Sequence, residues 1–79
     1  MAQKKNGRTR PQVLVQLGGR IREERRRRGL TQEALAGALD LSIAYVSLIE
    51  RGGRNPPYTT VMAIARALSV PPARLVAEG

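Results

Sequence analysis

Apolar residues recur along this chain with the spacing of one helix face, interrupted by turn-forming residues at short intervals. From Gln12 onward, Leu14, Leu17, Ile21 and Arg25 fall at i, i+3, i+7 and i+11, which predicts a first helix. Gly29 ends it, as a glycine just past the last turn commonly does. The arginines at 25–28 crowd its final turn, where cations complement the negative end of the helix dipole. Thr31 is suited to cap the next helix, Gln32 to Leu39, whose stripe is Leu35, Ala36 and Leu39. Asp40 and Leu41 leave room only for a tight turn. Ser42 then caps a third helix, Ile43 to about Arg51, with Val46, Ile49 and Glu50 facing inward. The stretch Gly52-Gly53-Arg54-Asn55-Pro56-Pro57 reads as a loop. A fourth helix follows from Tyr58 to Leu68, carrying Val61, Ile64, Ala65 and Leu68. Beyond Pro71, Pro72 suits the first turn of a last short helix that includes Leu75 and Val76. No segment alternates with period two for long enough to form a strand. The pattern predicts an all-α, five-helix domain over residues 12–79. Residues 1–11 lack apolar periodicity and are expected to form a disordered basic arm.

Composition narrows what such a domain can do. At 79 residues there is room for one domain with a thin core, burying about 60–65% of the surface of the unfolded chain. The chain has neither cysteine nor histidine. Disulfides and thiolate metal sites are therefore excluded, and the commonest general base is missing. These absences argue against an enzyme, and no metal or cofactor is expected. The formal charge is +8. Its placement says more than its size: residues 1–28 carry ten basic against two acidic side chains, and residues 29–79 carry four against four. An excess so concentrated points to a polyanionic partner, nucleic acid or an anionic surface. No apolar stretch approaches the ~20 residues of a membrane span, and the N-terminus lacks the apolar region of a signal peptide. The expected setting is cytoplasmic, without a membrane partner.

Two short helices joined by a three- or four-residue turn form the helix-turn-helix pattern, whose geometry demands particular residue types. Ala36 stands where the two helices approach most closely and only a small side chain fits. Asp40 occupies the turn position that must be left-handed, which Asp tolerates at modest cost. Leu41, Val46 and Ile49 are the apolar residues that hold the second helix against the first.

Three segments carry a family resemblance: Leu30-Thr31-Gln32-Glu33-Ala34-Leu35-Ala36, Tyr45-Val46-Ser47-Leu48-Ile49-Glu50-Arg51-Gly52, and Arg54-Asn55-Pro56. Together they resemble the Xre family, the lambda repressor/Cro-type helix-turn-helix domain of phage repressors and many bacterial regulators. The similarity covers about residues 14–76. Within the family, the second and third segments most resemble the controller proteins of restriction–modification systems. The chain departs from the family pattern at Asp40, which replaces the usual turn glycine. It departs again at Ile43, Ala44 and Leu48, where relatives often carry polar base-reading residues.

The resemblance implies that the second helix of the motif enters the major groove of double-stranded DNA. That assigns contacts to Ser42, Ile43, Ala44, Tyr45, Ser47 and Leu48. Ile43 and Ala44 suit thymine methyl groups, and Ser47 suits a base edge or a phosphate. Tyr45 offers a hydroxyl to phosphate, although Ile43 and Tyr45 would equally pack as helix surface or core. Gln32 is expected to help clamp a phosphate at the start of its helix. Arg51, Arg54 and Asn55 are expected to grip the backbone from the loop. By the same resemblance Glu50 is partly buried and pairs with Arg25 of the first helix. The arm at 1–11 and Arg26 to Arg28 either lie near the DNA backbone or form a solvated face.

The expected function is a sequence-specific transcriptional regulator that binds a pseudo-palindromic operator as a homodimer. Leu68, Val70, Leu75 and Val76 either form its dimer interface or complete the monomer core. Two other readings use the same fold: an antitoxin that neutralises a toxin protein and autoregulates its operon, and a nonspecific architectural DNA binder.

Overall fold

The computed structural model describes residues 11–76. Of the basic arm expected at 1–11, all but Pro11 lies outside the described residues. Among these residues the chain forms five helices and no strand. They are α1 (Gln12–Arg27), α2 (Gln32–Leu39), α3 (Ile43–Glu50), α4 (Tyr58–Leu68) and α5 (Pro72–Val76). None is long and apolar enough to cross a membrane.

Local chemistry sets the boundaries. Thr31 Oγ1 accepts a hydrogen bond from the Ala34 amide at 3.0 Å, and Ser42 Oγ accepts one from the Tyr45 amide at 3.0 Å. Each hydroxyl satisfies an amide that the first helical turn leaves without a partner. Asp40 closes α2 in the left-handed region at φ 59°, and the Leu41 amide then reaches back to the Ala36 carbonyl at 2.9 Å. Ser69 ends α4 in the same conformation, at φ 58°. The turn at Asp40 bends the chain by 112° between α2 and α3, within the usual range of a helix-turn-helix.

The core is built from every helix. Ile21, Leu35, Val46, Ile49, Ile64, Leu68 and Leu75 are buried, together with the small residues Ala36 and Ala65. α1 packs on α3 and α5, while α2 packs on α3 and α4. This corrects the dimer face expected at the C-terminal end. Leu68, Val70 and Leu75 lie inside the monomer because α5 folds back against α1 and α4. Of the four candidates only Val76 is exposed, at 56%.

The approach of α1 to α3 is closer than side chains allow. A Cβ at Gly18 would collide with the Ile49 carbonyl oxygen and lie 2.6 Å from that of Glu50. Gly52, just past α3, has φ 78° and its missing Cβ would meet Val15 at 2.9 Å. α1 therefore lies backbone against backbone on the end of α3.

Beside this contact Arg25 and Glu50 form a buried ion pair, their side chains 9% and 1% exposed. Arg25 Nε donates to Glu50 Oε2 at 2.6 Å and Nη2 to Oε1 at 3.0 Å. Nη1 donates to the Leu30 carbonyl at 2.7 Å, which satisfies a backbone oxygen in the α1–α2 link. The hydrogen bonds it donates to Glu50 raise the guanidinium pKa above its already high value, outweighing the opposing effect of burial. The guanidinium thus stays charged at every ordinary pH. A second buried acid, Glu24, lies near Arg74 of α5 at 3.4 Å and Arg27 at 3.8 Å. It ties α5 to α1.

This packing can be tested at two points. Gly18→Ala should destabilise the domain by about 2–3 kcal/mol through overpacking. Gly19→Ala, one residue on and facing open space, should stabilise it by about 0.5–1 kcal/mol through helix propensity. Urea melts of both variants check the contrast, and equal effects would refute the close approach. Glu50→Ala strands a buried guanidinium and should cost about 3–5 kcal/mol, whereas Arg25→Met combined with Glu50→Leu should recover most of that loss. A Glu50→Ala protein melting within a degree of wild type would refute the structural role of the pair.

Candidate nucleic-acid interface

The interface is organised by which faces of α3 are already occupied. Val46, Ile49 and Glu50 are buried against α1 and α2, which turns the opposite face outward. Ser42, Ile43 and Ala44 are exposed at its N-terminal tip, with Ile43 at 47%. Tyr45, Ser47 and Leu48 are half-buried along its flanks. Tyr45 also packs against the core, so its ring braces the helix while its edge reaches the surface. Ser42 is committed in part: its oxygen caps the helix, which leaves its hydroxyl proton to donate outward.

This outward face carries no charged side chain before Arg51. Its chemistry is therefore apolar contact at Ile43, Ala44 and Leu48, with hydroxyls at Ser42, Tyr45 and Ser47. Ionic contact must come from the flanks. Arg51 is exposed at the end of α3, its Nε donating to the Ser47 carbonyl at 3.3 Å. Arg54 and Asn55 stand exposed on the loop that follows.

On the other flank Gln32 begins α2. Its Nε2 donates to Glu50 Oε1 at 3.0 Å, so the carboxylate that holds Arg25 also orients this amide. Residue pattern alone did not suggest that bond. The structure brings Gln32 and Ser47 to the edge of one polar pocket, together with Arg51 and with Arg22 and Arg26 of α1. In the sequence Arg22 does not stand out as a site residue, and Arg26 does so only within the arginine run. Their i, i+4 spacing on one side of α1 was nonetheless a readable signal. Of the carboxylates, Glu24 and Glu50 are buried in ion pairs and Glu23 pairs with Arg27 across 3.6 Å. Among the described residues no group of three potential metal ligands occurs.

Comparison with known proteins agrees with that geometry. Residues 16–77 match the helix-turn-helix domain family. The chain is 40% identical over 60 residues to the HTH-type transcriptional regulator y4dJ of Sinorhizobium fredii, covering 76% of this chain and 78% of that protein. It is 40% identical over 62 residues to the immunity repressor of Bacillus phage phi105, covering 78% of this chain but 43% of the repressor. The chain thus spans less than half the length of some relatives it matches. Among solved structures, the restriction–modification controller protein C.AhdI from Aeromonas hydrophila superposes with a TM-score of 0.76 at 42% identity, over 78% of this chain and 94% of that one. The chain belongs to the helix-turn-helix family of the Xre, lambda repressor/Cro type, a family of DNA-binding transcriptional regulators.

Proposed function

We propose that this chain is a sequence-specific, DNA-binding transcriptional regulator that inserts α3 into the major groove. The observation that supports it most directly is the division of α3 into a buried face and an outward one. The outward face is bare of charge at its tip and flanked by cationic or amide side chains at Gln32, Arg51, Arg54 and Asn55. Ser42 to Leu48 would meet base edges, and the flanking residues would hold phosphates on either side.

A homodimer on a pseudo-palindromic operator accompanies this reading, with recognition helices ~34 Å apart. A groove of about 710 Å³ supports a self-association surface: its walls include Val13, Leu17, Pro56, Val61 and Val76, and none of its lining residues is charged. Two copies of a chain carrying +8 repel wherever basic surfaces meet, so an uncharged apolar face is the favourable contact. The near-complete coverage of C.AhdI favours a regulator of the controller type that acts on DNA upstream of its own gene.

The test is a binding titration at fixed salt on that upstream DNA and on an unrelated duplex of equal length. The upstream DNA should bind ~10³-fold more tightly or better. Ser42→Ala combined with Ala44→Asp, which places a carboxylate against the groove, should abolish the preference. Equal affinity for both duplexes, falling steeply with salt, would mean a charge-driven binder and overturn the reading.

A further inference from the structure

The apolar groove at the start of α1 is also large enough to hold a small molecule. Its volume of about 710 Å³ lies within the range of about 300–1,000 Å³ typical of organic-ligand pockets. Pro56, Val61 and Leu75 in its lining are buried, whereas Val13 and Val76 are exposed, at 68% and 56%. The lining thus has an inner apolar part and an accessible rim. Three carboxamides complete it: Gln12 and Gln16, one turn apart on α1, and Asn55 of the loop after α3. All three are exposed, and none makes a side-chain hydrogen bond to a described residue. Each offers donors and an acceptor without charge. An apolar lining with a few such groups suits an organic ligand. An anion finds no cation in this lining, and a cation finds no carboxylate. The groove therefore selects a neutral molecule with an apolar body and one or two polar atoms.

We propose that the groove is an effector site, in which a neutral, mostly apolar small molecule displaces the second copy and so weakens operator binding. The inference rests on the homodimer reading above and adds its regulation. The core of a stable interface is packed as densely as a protein interior. A second copy covering the groove must therefore fill it with its own side chains, so ligand and second copy exclude each other. The consequence reaches the DNA because the two recognition helices hold their spacing only while the copies stay joined.

The probe is Nile red, a neutral planar dye with a carbonyl acceptor, whose fluorescence rises when it leaves water. Nile blue, a cationic dye of the same ring system, is the control. Each is titrated into the full chain without DNA. Nile red should saturate at one dye per chain and bind about tenfold or more tightly than Nile blue, because burying a charge without a partner is costly. Val13→Glu places a carboxylate on the exposed rim, where the fold tolerates it. It should weaken Nile red binding about tenfold or more and leave the urea midpoint unchanged. Sedimentation equilibrium then follows the dimer. Both copies must be free of dye to associate, so the two occupancies multiply. The dimer dissociation constant should rise about 100-fold when the dye stands at about ten times its own Kd. Affinity for the upstream duplex should fall with it. Absence of saturable Nile red binding, or binding that survives Val13→Glu, overturns the site. A dimer that bound dye leaves unchanged or strengthens overturns the displacement, while the homodimer reading stands. A chain that stays monomeric at every concentration without dye overturns the homodimer reading itself, and the inference falls with it.

Discussion

The salt bridge between Arg25 and Glu50 is the contact on which the helix-turn-helix geometry turns. One guanidinium at the end of α1 holds a carboxylate at the end of α3 and a backbone oxygen in the α1–α2 link, and the same carboxylate holds the first side chain of α2. Three helices meet at one pair of charges. Burying two ions is expensive, and apolar replacements of similar volume are often as stable. What the pair contributes beyond stability is direction. Hydrogen bonds have angular requirements that apolar packing lacks, so this network fixes how far α3 is rotated about its axis. That rotation decides which residues face outward.

The backbone contact at Gly18 reinforces the same constraint from the other side. With no side chain between them, α1 and the last carbonyls of α3 have one distance and little freedom to slide. A thin core makes such devices matter more, because a chain of this size has few apolar layers with which to define a unique packing. Glu24 and Arg74 extend the arrangement to α5. The inner side of α1 therefore carries two carboxylate–arginine contacts, each reaching a different helix.

Much of this was legible in the residues. Helix boundaries followed from Thr31, Ser42, Gly29 and the prolines, because capping and backbone restriction act locally. The Arg25–Glu50 pair was expected from resemblance. Ser69 was not legible as a left-handed terminator, since serine has no special tolerance for that conformation and tertiary packing imposes it. Leu68, Val70 and Leu75 show a deeper ambiguity. Periodicity tells which side of a helix avoids water, not whether the same chain or a second copy covers it. Glu24 is hidden in the sequence for a different reason: it follows Ile21 by three residues and shares the inner face, but stands in a run of charges that reads as solvated. The polar pocket needed coordinates, because its residues come from three helices.

The uncharged tip of α3 gives the surrounding cations a particular importance. A helix that reads bases through polar side chains carries its own orientational information, since each bidentate bond has a narrow geometry. Ile43 and Ala44 have none: a contact between methyl groups changes little with angle and falls off within an ångström or so. In the proposed complex, discrimination by such contacts therefore depends on how firmly the helix is held in register. The groups that can hold it are the phosphate-directed side chains, Gln32 and the arginines on one flank and the 51–55 loop on the other. Phosphate contacts carry no sequence information directly. Around an apolar reading helix they nonetheless determine how much information it can extract, by fixing its depth and register in the groove.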